Sequence, residues 1–501
     1  MWKATGRIDP DRSAGPVNRR TFGSFVEHMG RCVYGGIYEP DHPRANERGF
    51  RTDVLELVRE LGVTTVRYPG GNFVSGYRWE DGIGPRQDRP RRLDTAWHSV
   101  ETNEFGLGEF VKWASLADVE IMLAVNLGTR GVQEAVDLVE YANHPGGTHL
   151  SDLRRQNGDQ DPYGIRLWCL GNEMDGPWQM GHKTAHEYAR LATETARAMR
   201  MVDPSLELVA CGSSTAEMPT FGAWEATVLE HAYEQVDYIS AHAYYEKAGE
   251  DLSSFLSSSI RMQSFIDSVT STCDAVKAKT RSKKSINISF DEWNVWYLNK
   301  LQDGGVPTDW VVAPALSEDS YDLSDAVVVG SLLITLLRNS ERVKVACQAQ
   351  LVNTIAPIRA EPKGAAWRQT IFYPFADMAT RAKGTVVKLD VAGPTVHSDL
   401  YGEVGAVDAV CTMGTEPAEA VIFCINRSQL GSIDLAVDVR ALPMLSRVEH
   451  RVLGGADPFA SNSVADPGHV VPRTASGARL TNGQLEAQLP PLSWNVLHLR
   501  A

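Results

Sequence analysis

"RLWCLGNEMDGPW", residues 166–178, opens as an apolar run of strand type and stops at Gly171-Asn172-Glu173. A carboxylate placed where a buried strand ends is either a turn glutamate in water or an acid held in a pocket. The rest of the chain decides, because the same arrangement recurs. Over the first two-thirds, short apolar or β-branched runs end in Gly, Asn, Asp or Glu, and longer stretches of helical periodicity follow them. The candidate strands are 22–26, 64–68, 121–125, 165–170, 206–211, 236–241, 286–290 and 343–349. Helical patterns lie between them, such as "RTDVLELVRELG" at 51–62, which closes on a glycine, and those at 184–201 and 319–337.

A βα alternation repeated eight times implies an α/β fold, a closed (β/α)8 barrel, here over residues 21–383. The rival, an open doubly wound sheet, lacks its Gly-rich phosphate loop after the first strand. Beyond residue 383 the helical pattern fades. "AVIFCINR", "IDLAVDVR", "VEHRVLGG", "LEAQLPP" and "WNVLHLR" alternate apolar and polar residues between turn signals. They predict a C-terminal antiparallel β-sandwich, jelly-roll-like, over 384–501. Residues 1–20 contain one more strand candidate, "MWKATGRI", which is expected to join that sandwich.

Composition narrows the function. A net charge of −14 over 501 residues argues against nucleic acid and anionic membranes as partners. The longest apolar stretch, 326–337, is too short to span a bilayer and predicts a buried helix. The first twenty residues carry no apolar signal region, and the seven cysteines are odd in number and scattered. Both point to a reducing cytoplasm. No Walker A loop, Gly-x-Ser-x-Gly elbow, His-Glu-x-x-His or Cys-x-x-Cys is found, so no metal or other cofactor is called for.

In such a barrel the active site lies at the C-terminal ends of the strands. Glu27 and His28 follow the first strand. Arg67 lies in the second, with Asn72 past it, and Asn126 follows the third. Asn172 and Glu173 follow the fourth, and Ser213 and Ser214 the fifth. His242 and Tyr244 follow the sixth, Asp291 and Glu292 the seventh, Gln350 and Asn353 the eighth. Glu173 and Glu292 belong to the fourth and seventh units, so they can face each other across the mouth. Paired carboxylates around one acetal bond are the apparatus of glycoside hydrolysis. That chemistry asks for two different pKa values. Met174 and Trp178 suggest an apolar wall for Glu173, and Arg67 a counter-charge for Glu292. Trp79, Trp97, Trp178, Trp293 and Trp296 are candidates for stacking on sugar faces.

"GNEMDGPW", "FDEWNVWY", "RYPGGNFVSGYRWEDGIGP", "GSFVEHMGRCVYGGIYEP" and "AQLVNTIAP" resemble the signature stretches of family 51 glycoside hydrolases, in particular the intracellular bacterial α-L-arabinofuranosidases. The resemblance runs from about Phe22 into "LPPLSWNVLHLR". It implies a retaining, exo-acting enzyme that releases terminal α-L-arabinofuranosyl units from oligosaccharides by double displacement. Under it Glu173 is the acid/base and Glu292 the nucleophile. Glu27, Asn72, Asn172, Tyr244 and Gln350 bind the sugar, Arg67 and His242 support the nucleophile, and Trp97 and Trp178 line the aglycone rim. It also implies a homo-oligomer, commonly a hexamer. One stretch departs: "SAHAYY" carries Ala243 where a larger polar residue is expected, which predicts extra room at the mouth. The catalytic pair alone leaves open a β-xylosidase or β-glucanase on the same scaffold, or a sugar-binding protein without turnover.

Overall fold

The computed structural model describes residues 2–247, 249, 251–302, 305, 307–415, 418–442 and 445–501. Eight parallel strands close a barrel in chain order. They are Gly23–Phe25, Thr65–Tyr68, Glu120–Val125, Leu167–Leu170, Glu207–Ala210, Tyr238–Tyr245, Asn287–Val295 and Val343–Gln348, and the last pairs back onto the first. All eight correspond to expected strands. The sixth and seventh run four and five residues past their expected ends at 241 and 290, to Tyr245 and Val295. The sequence pattern ends the sixth and seventh strands just before His242 and Asp291. In the fold these two bond to each other across the mouth and both strands continue past them.

The helices begin and end where local chemistry dictates. Thr52–Leu61 stops at Gly62, whose φ of 79° lets its N–H bond back to Val58 and Arg59. Ala185–Val202 starts where the Thr184 hydroxyl accepts the Glu187 N–H. The apolar stretch 326–337 lies in Leu323–Arg338, where every residue but the last is buried. No helix of the described residues is long and apolar enough to cross a membrane. Inside the barrel, Phe25, Met122, Leu167, Val209 and Val345 fill the lower lumen. They separate the polar mouth from a second polar cluster at the strand starts, where Arg20 donates to Glu120 and Glu207.

The C-terminal part is one ten-stranded sheet that curls over, its strand Arg447–Gly454 approaching Arg479–Thr481. Ala4, Ile8, Ile422, Leu435 and Leu497 form the core it encloses. The N-terminal strand Trp2–Pro16 does join it. It pairs antiparallel with Thr385–Ala392 but parallel with Ile433–Asp438, so the sheet is not antiparallel throughout. The strand Ala418–Asn426 is apolar on both faces for a reason. Ala420, Ile422 and Cys424 face the enclosed core, while Val421, Phe423 and Ile425 pack on the barrel side.

Helix Leu323–Arg338 is the joint between barrel and sheet, and it packs against the strands Val407–Thr415, Ala418–Asn426 and Ser493–Arg500. At its centre Gly330 lies against the Trp494 ring. A Cβ there would stand 2.6 Å from a ring carbon. In an exposed helix Gly to Ala stabilises by about 1 kcal/mol. Gly330→Ala is expected to do the reverse, costing about 1–3 kcal/mol by overpacking, seen as a lowered thermal unfolding midpoint.

Candidate active site

The seventh strand delivers two consecutive acids to the mouth, which a regular strand cannot do. Ser289 pairs with Ser240 of the sixth strand, yet Glu292 pairs with His242, so three residues span two. The register against the eighth strand shifts at the same place. A bulge of this kind re-aims side chains. Phe290 and Trp293 pack outward into the helix layer, while Asp291 and Glu292 both reach the barrel axis.

Glu173 arrives from the fourth strand through a tight turn. Gly171 has φ 90° and Glu173 itself φ 44°, a left-handed backbone that few residues other than glycine adopt. Its Oε1 lies 2.9 Å from His242 Nδ1, and its Oε2 accepts the Trp178 indole N–H at 2.8 Å. Trp178 lies so close over Gly176 that a Cβ there would be 2.6 Å from the ring. The expected apolar wall beside Glu173 is therefore a hydrogen-bond donor, because the indole turns its N–H edge to the carboxylate.

Glu292 is gripped at both oxygens. Arg67 Nη1 donates to Oε1 at 2.6 Å and the Tyr244 hydroxyl to Oε2 at 2.8 Å. Arg67 is buried over the Phe25 ring, and its Nη2 donates to Asn172 Oδ1 at 2.6 Å. His242 joins the acids: its Nε2 is 2.9 Å from Asp291, and its Nδ1, besides Glu173, is 3.7 Å from Glu292. Burial opposes a charge on this imidazole. The surrounding carboxylates Glu292, Asp291 and Glu173 outweigh it and lift its pKa to about 10. Burial also raises Asp291, but Arg67 and His242 overcome it and hold that acid below the usual range. Glu292 is raised by burial, with His242 and Arg67 pulling the other way and Glu173 adding to the rise.

Glu27 sits opposite. It accepts the Phe73 backbone N–H and the Trp97 indole N–H, each at 2.9 Å, and the Gln350 amide at 3.3 Å. Burial pushes its pKa up to about 8 against the pull of the Phe73 and Trp97 donors. Gly71 must be glycine here, since a Cβ would stand 2.6 Å from a Glu27 oxygen. Asn72 accepts from Asn172 at 3.4 Å and from Gln179. Glu27, Asn72, Glu173, Tyr244, Glu292 and Gln350 open onto one cavity of about 840 Å³, walled by Trp97, Trp178 and Trp296.

Glu173, His242 and Glu292 offer ligand atoms that all lie within 4.8 Å of one another. A metal is a poor fit for that trio. An imidazolium has no lone pair to give, and Arg67 already neutralises Glu292.

The comparisons with known proteins agree with one another. Residues 57–254 match the family model described as α-L-arabinofuranosidase 1 domain, and residues 291–493 the α-L-arabinofuranosidase C-terminal domain. The chain is 58% identical to an intracellular exo-α-(1→5)-L-arabinofuranosidase of Streptomyces lividans, over 99% of this chain and 75% of that protein. It is 53% identical to an exo-α-(1→6)-L-arabinofuranosidase of Bifidobacterium longum, over 98% of this chain and 96% of that one. A solved family 51 α-L-arabinofuranosidase from Bifidobacterium longum superposes with a TM-score of 0.95 at 48% identity, over the whole of both chains. The chain belongs to the family 51 α-L-arabinofuranosidases.

For this family member, the eleven residues that the sequence assigns to the site all stand at or beside the one cavity. Of the other flagged residues, Ser214 and Trp296 also line it and Asp291 supports it through His242, whereas Asn126, Asn353, Trp79 and Trp293 do not. Asn126 binds the Tyr77 carbonyl and Thr129, and Asn353 the Arg31 and Gly35 carbonyls. Trp79 packs on Tyr141, and Trp293 is buried outside the barrel. Trp97 is buried, its N–H spent on Glu27, whereas Trp178 is half exposed at the rim. Ala243 opens no room at the mouth. Strand alternation turns it outward, buried in the helix-side core between inward-facing His242 and Tyr244. Gln179 escaped the sequence reading. It bonds Ser75, Asn72 and Glu173, and nothing in "PWQMG" sets it apart.

The folded pKa of His242, about 10, lies above the usual 6.5. Its ion pairs therefore stabilise the fold fully below about pH 6.5, and that contribution is lost as pH rises through about 10. Asp291→Asn removes one anion from the imidazolium. The alkaline fall of the thermal midpoint is expected to move to lower pH by roughly one unit or more, measured by unfolding scans across the alkaline range. Superimposable pH profiles for the two proteins would contradict the assignment.

Proposed function

We infer that the protein is a retaining exo-α-L-arabinofuranosidase in which Glu292 is the nucleophile and Glu173 the acid/base. The observation that carries this is the separation of the two acids. An oxygen of Glu173 lies within 4.8 Å of one of Glu292. Retaining pairs stand about 5–5.5 Å apart, whereas inversion needs roughly 6.5–9.5 Å to admit a water.

The terminal arabinofuranosyl unit sits with its hydroxyls against Glu27, Asn72, Asn172 and Gln350. Glu292, oriented by Arg67 and Tyr244, attacks C1 as the bond to the leaving oxygen breaks. Glu173 passes its proton to that oxygen, and the His242 cation at 2.9 Å offsets the carboxylate that appears. In the second half Glu173 takes a proton from water, which attacks C1 and frees both arabinose and Glu292. No metal or cofactor enters this cycle. Identity of 53–58% to named exo-arabinofuranosidases disfavours a β-xylosidase, a β-glucanase or a pocket without turnover. The two relatives' names specify different linkages, (1→5) and (1→6). The linkage is therefore a matter for product analysis on a panel of arabino-oligosaccharides.

We place the enzyme in the cytoplasm. The name of the Streptomyces lividans relative includes "intracellular", and all seven cysteines are free and buried. The family resemblance also favours a homo-oligomer, a hexamer, which light scattering would establish or refute. We take residues 21–383 as the unit that carries the reaction.

Two measurements test the chemistry. Proton NMR of hydrolysis is expected to show the α anomer of arabinose first. Glu173→Ala is expected to lose about 10²–10⁴-fold on poor leaving groups, while azide recovers turnover of an activated aryl furanoside as an arabinosyl azide of retained configuration. Initial release of the β anomer would sink the double displacement.

A further inference from the structure

The catalytic cavity does not end at the barrel. Its outer wall includes Leu400 and Tyr401, at the tip of a hairpin from the C-terminal sheet. The hairpin strands are Thr395–Ser398 and Gly402–Gly405. Its tip is fastened to the barrel helix Leu252–Leu256. The Asp399 N–H donates to Asp251 at 3.0 Å, the Leu400 N–H to Ser254 Oγ at 3.1 Å, and Ser254 Oγ meets Ser398 Oγ at 2.9 Å. Both serines are buried, so this is a built contact, not a loop resting on the surface. Beside it Arg261 lies over the Tyr245 ring at 5.7 Å and pairs with Glu217. Trp296, Leu298 and Leu301 line the same cavity.

Fastening leaves the tip's side chains free. Leu400 is 73% exposed and Tyr401 half-buried, both against the cavity. A large exposed apolar side chain on a hydrogen-bonded hairpin beside an active site has little to do for folding. At about 840 Å³ the cavity lies in the upper part of the roughly 300–1,000 Å³ that buries a whole drug-sized ligand. One pentosyl unit held by Glu27 and Glu292 fills only its inner end. The outer end offers an aromatic face, an aliphatic contact and a guanidinium. Those groups suit the apolar faces and hydroxyls of neutral sugars.

We propose that the hairpin tip, with Tyr401 and Leu400, forms a distal binding wall for the second and later sugar units of a linear, uncharged oligosaccharide behind the scissile bond. The C-terminal sheet thereby sets chain-length preference. This rests on the proposed function, since it needs a terminal sugar at Glu292 to define the direction of the chain. A smaller cavity of about 400 Å³ on the other side of Trp178, bordered by Leu93, is the alternative path for that chain.

The test compares kcat/KM for an aryl α-L-arabinofuranoside with that for linear arabinofuranosyl di-, tri- and tetrasaccharides. The wild type is set beside Tyr401→Ala, Leu400→Asn and Leu93→Ala. For the wild type the ratio of tetrasaccharide to aryl kcat/KM is expected to exceed that of disaccharide to aryl. Tyr401→Ala is expected to lower the tetrasaccharide ratio by roughly 3- to 10-fold, the size of one lost aromatic contact. Leu400→Asn, at an exposed position that tolerates change, is expected to lower it in the same sense. It keeps the test alive if Tyr401→Ala does not fold. An equal fall on every substrate, an unaltered length dependence, or a loss confined to Leu93→Ala would overturn the proposal. If the wild type cleaves the aryl furanoside but shows none of these length effects, the hairpin wall fails and the proposed function stands. If it cleaves no furanoside, the proposed function itself fails.

Discussion

A single imidazolium holds the site together. His242 stands within 2.9 Å of both Glu173 and Asp291 and 3.7 Å of Glu292, and it is itself buried. Three carboxylates at that spacing in a buried mouth would repel one another strongly. His242 and Arg67 offset two of them. The third, Glu173, is the acid proposed to pass its proton to the leaving group. Removing His242 would leave buried acids uncompensated, which is far more damaging than losing a surface ion pair. Much of the mouth is organised around this requirement. The bulge turns both Asp291 and Glu292 inward, Arg67 emerges from the barrel floor beside Phe25, and Tyr244 and Asn172 complete the donor set.

The barrel was legible because its strands obey a simple pattern. Apolar runs of four to six residues before Gly, Asn or Glu mark parallel strands buried on both faces. The same rule cut the sixth and seventh strands short, since His242 and Glu292 are polar yet pair in the ladder, with Asp291 at the bulge. The bulge left a trace that period-2 reading missed. In "SFDEWN" the outward residues Phe290 and Trp293 are three apart, which leaves room for two acids on the inner face. Ala243 misled for the related reason that phase along the strand, not adjacency to His242, decides which side chains see the mouth.

The C-terminal sheet shows where sequence runs out. Most of its strands alternate clearly enough to be recognised, but "AVIFCI", grouped with them by the sequence pattern, is apolar throughout and is buried on both faces. Which barrel helix covers the second face depends on Gly330 making room for Trp494, a contact between residues 164 positions apart in sequence (494 − 330). The hairpin tip "SDLYGE" looks like any polar turn. Only its anchoring to Asp251 and Ser254 brings Tyr401 to the cavity. The C-terminal part thus lines the cavity as well as packing on the barrel.

The central claim is that Glu292 forms a bond to the sugar while Glu173, held by His242 and Trp178, only moves protons. The most direct measurement is peptide mapping by mass spectrometry after quenching Glu173→Ala protein with an activated aryl α-L-arabinofuranoside. The account predicts one pentosyl unit per chain, attached to Glu292. A pentosyl group found on any other side chain, or turnover with no covalent adduct at any quench time, would contradict it.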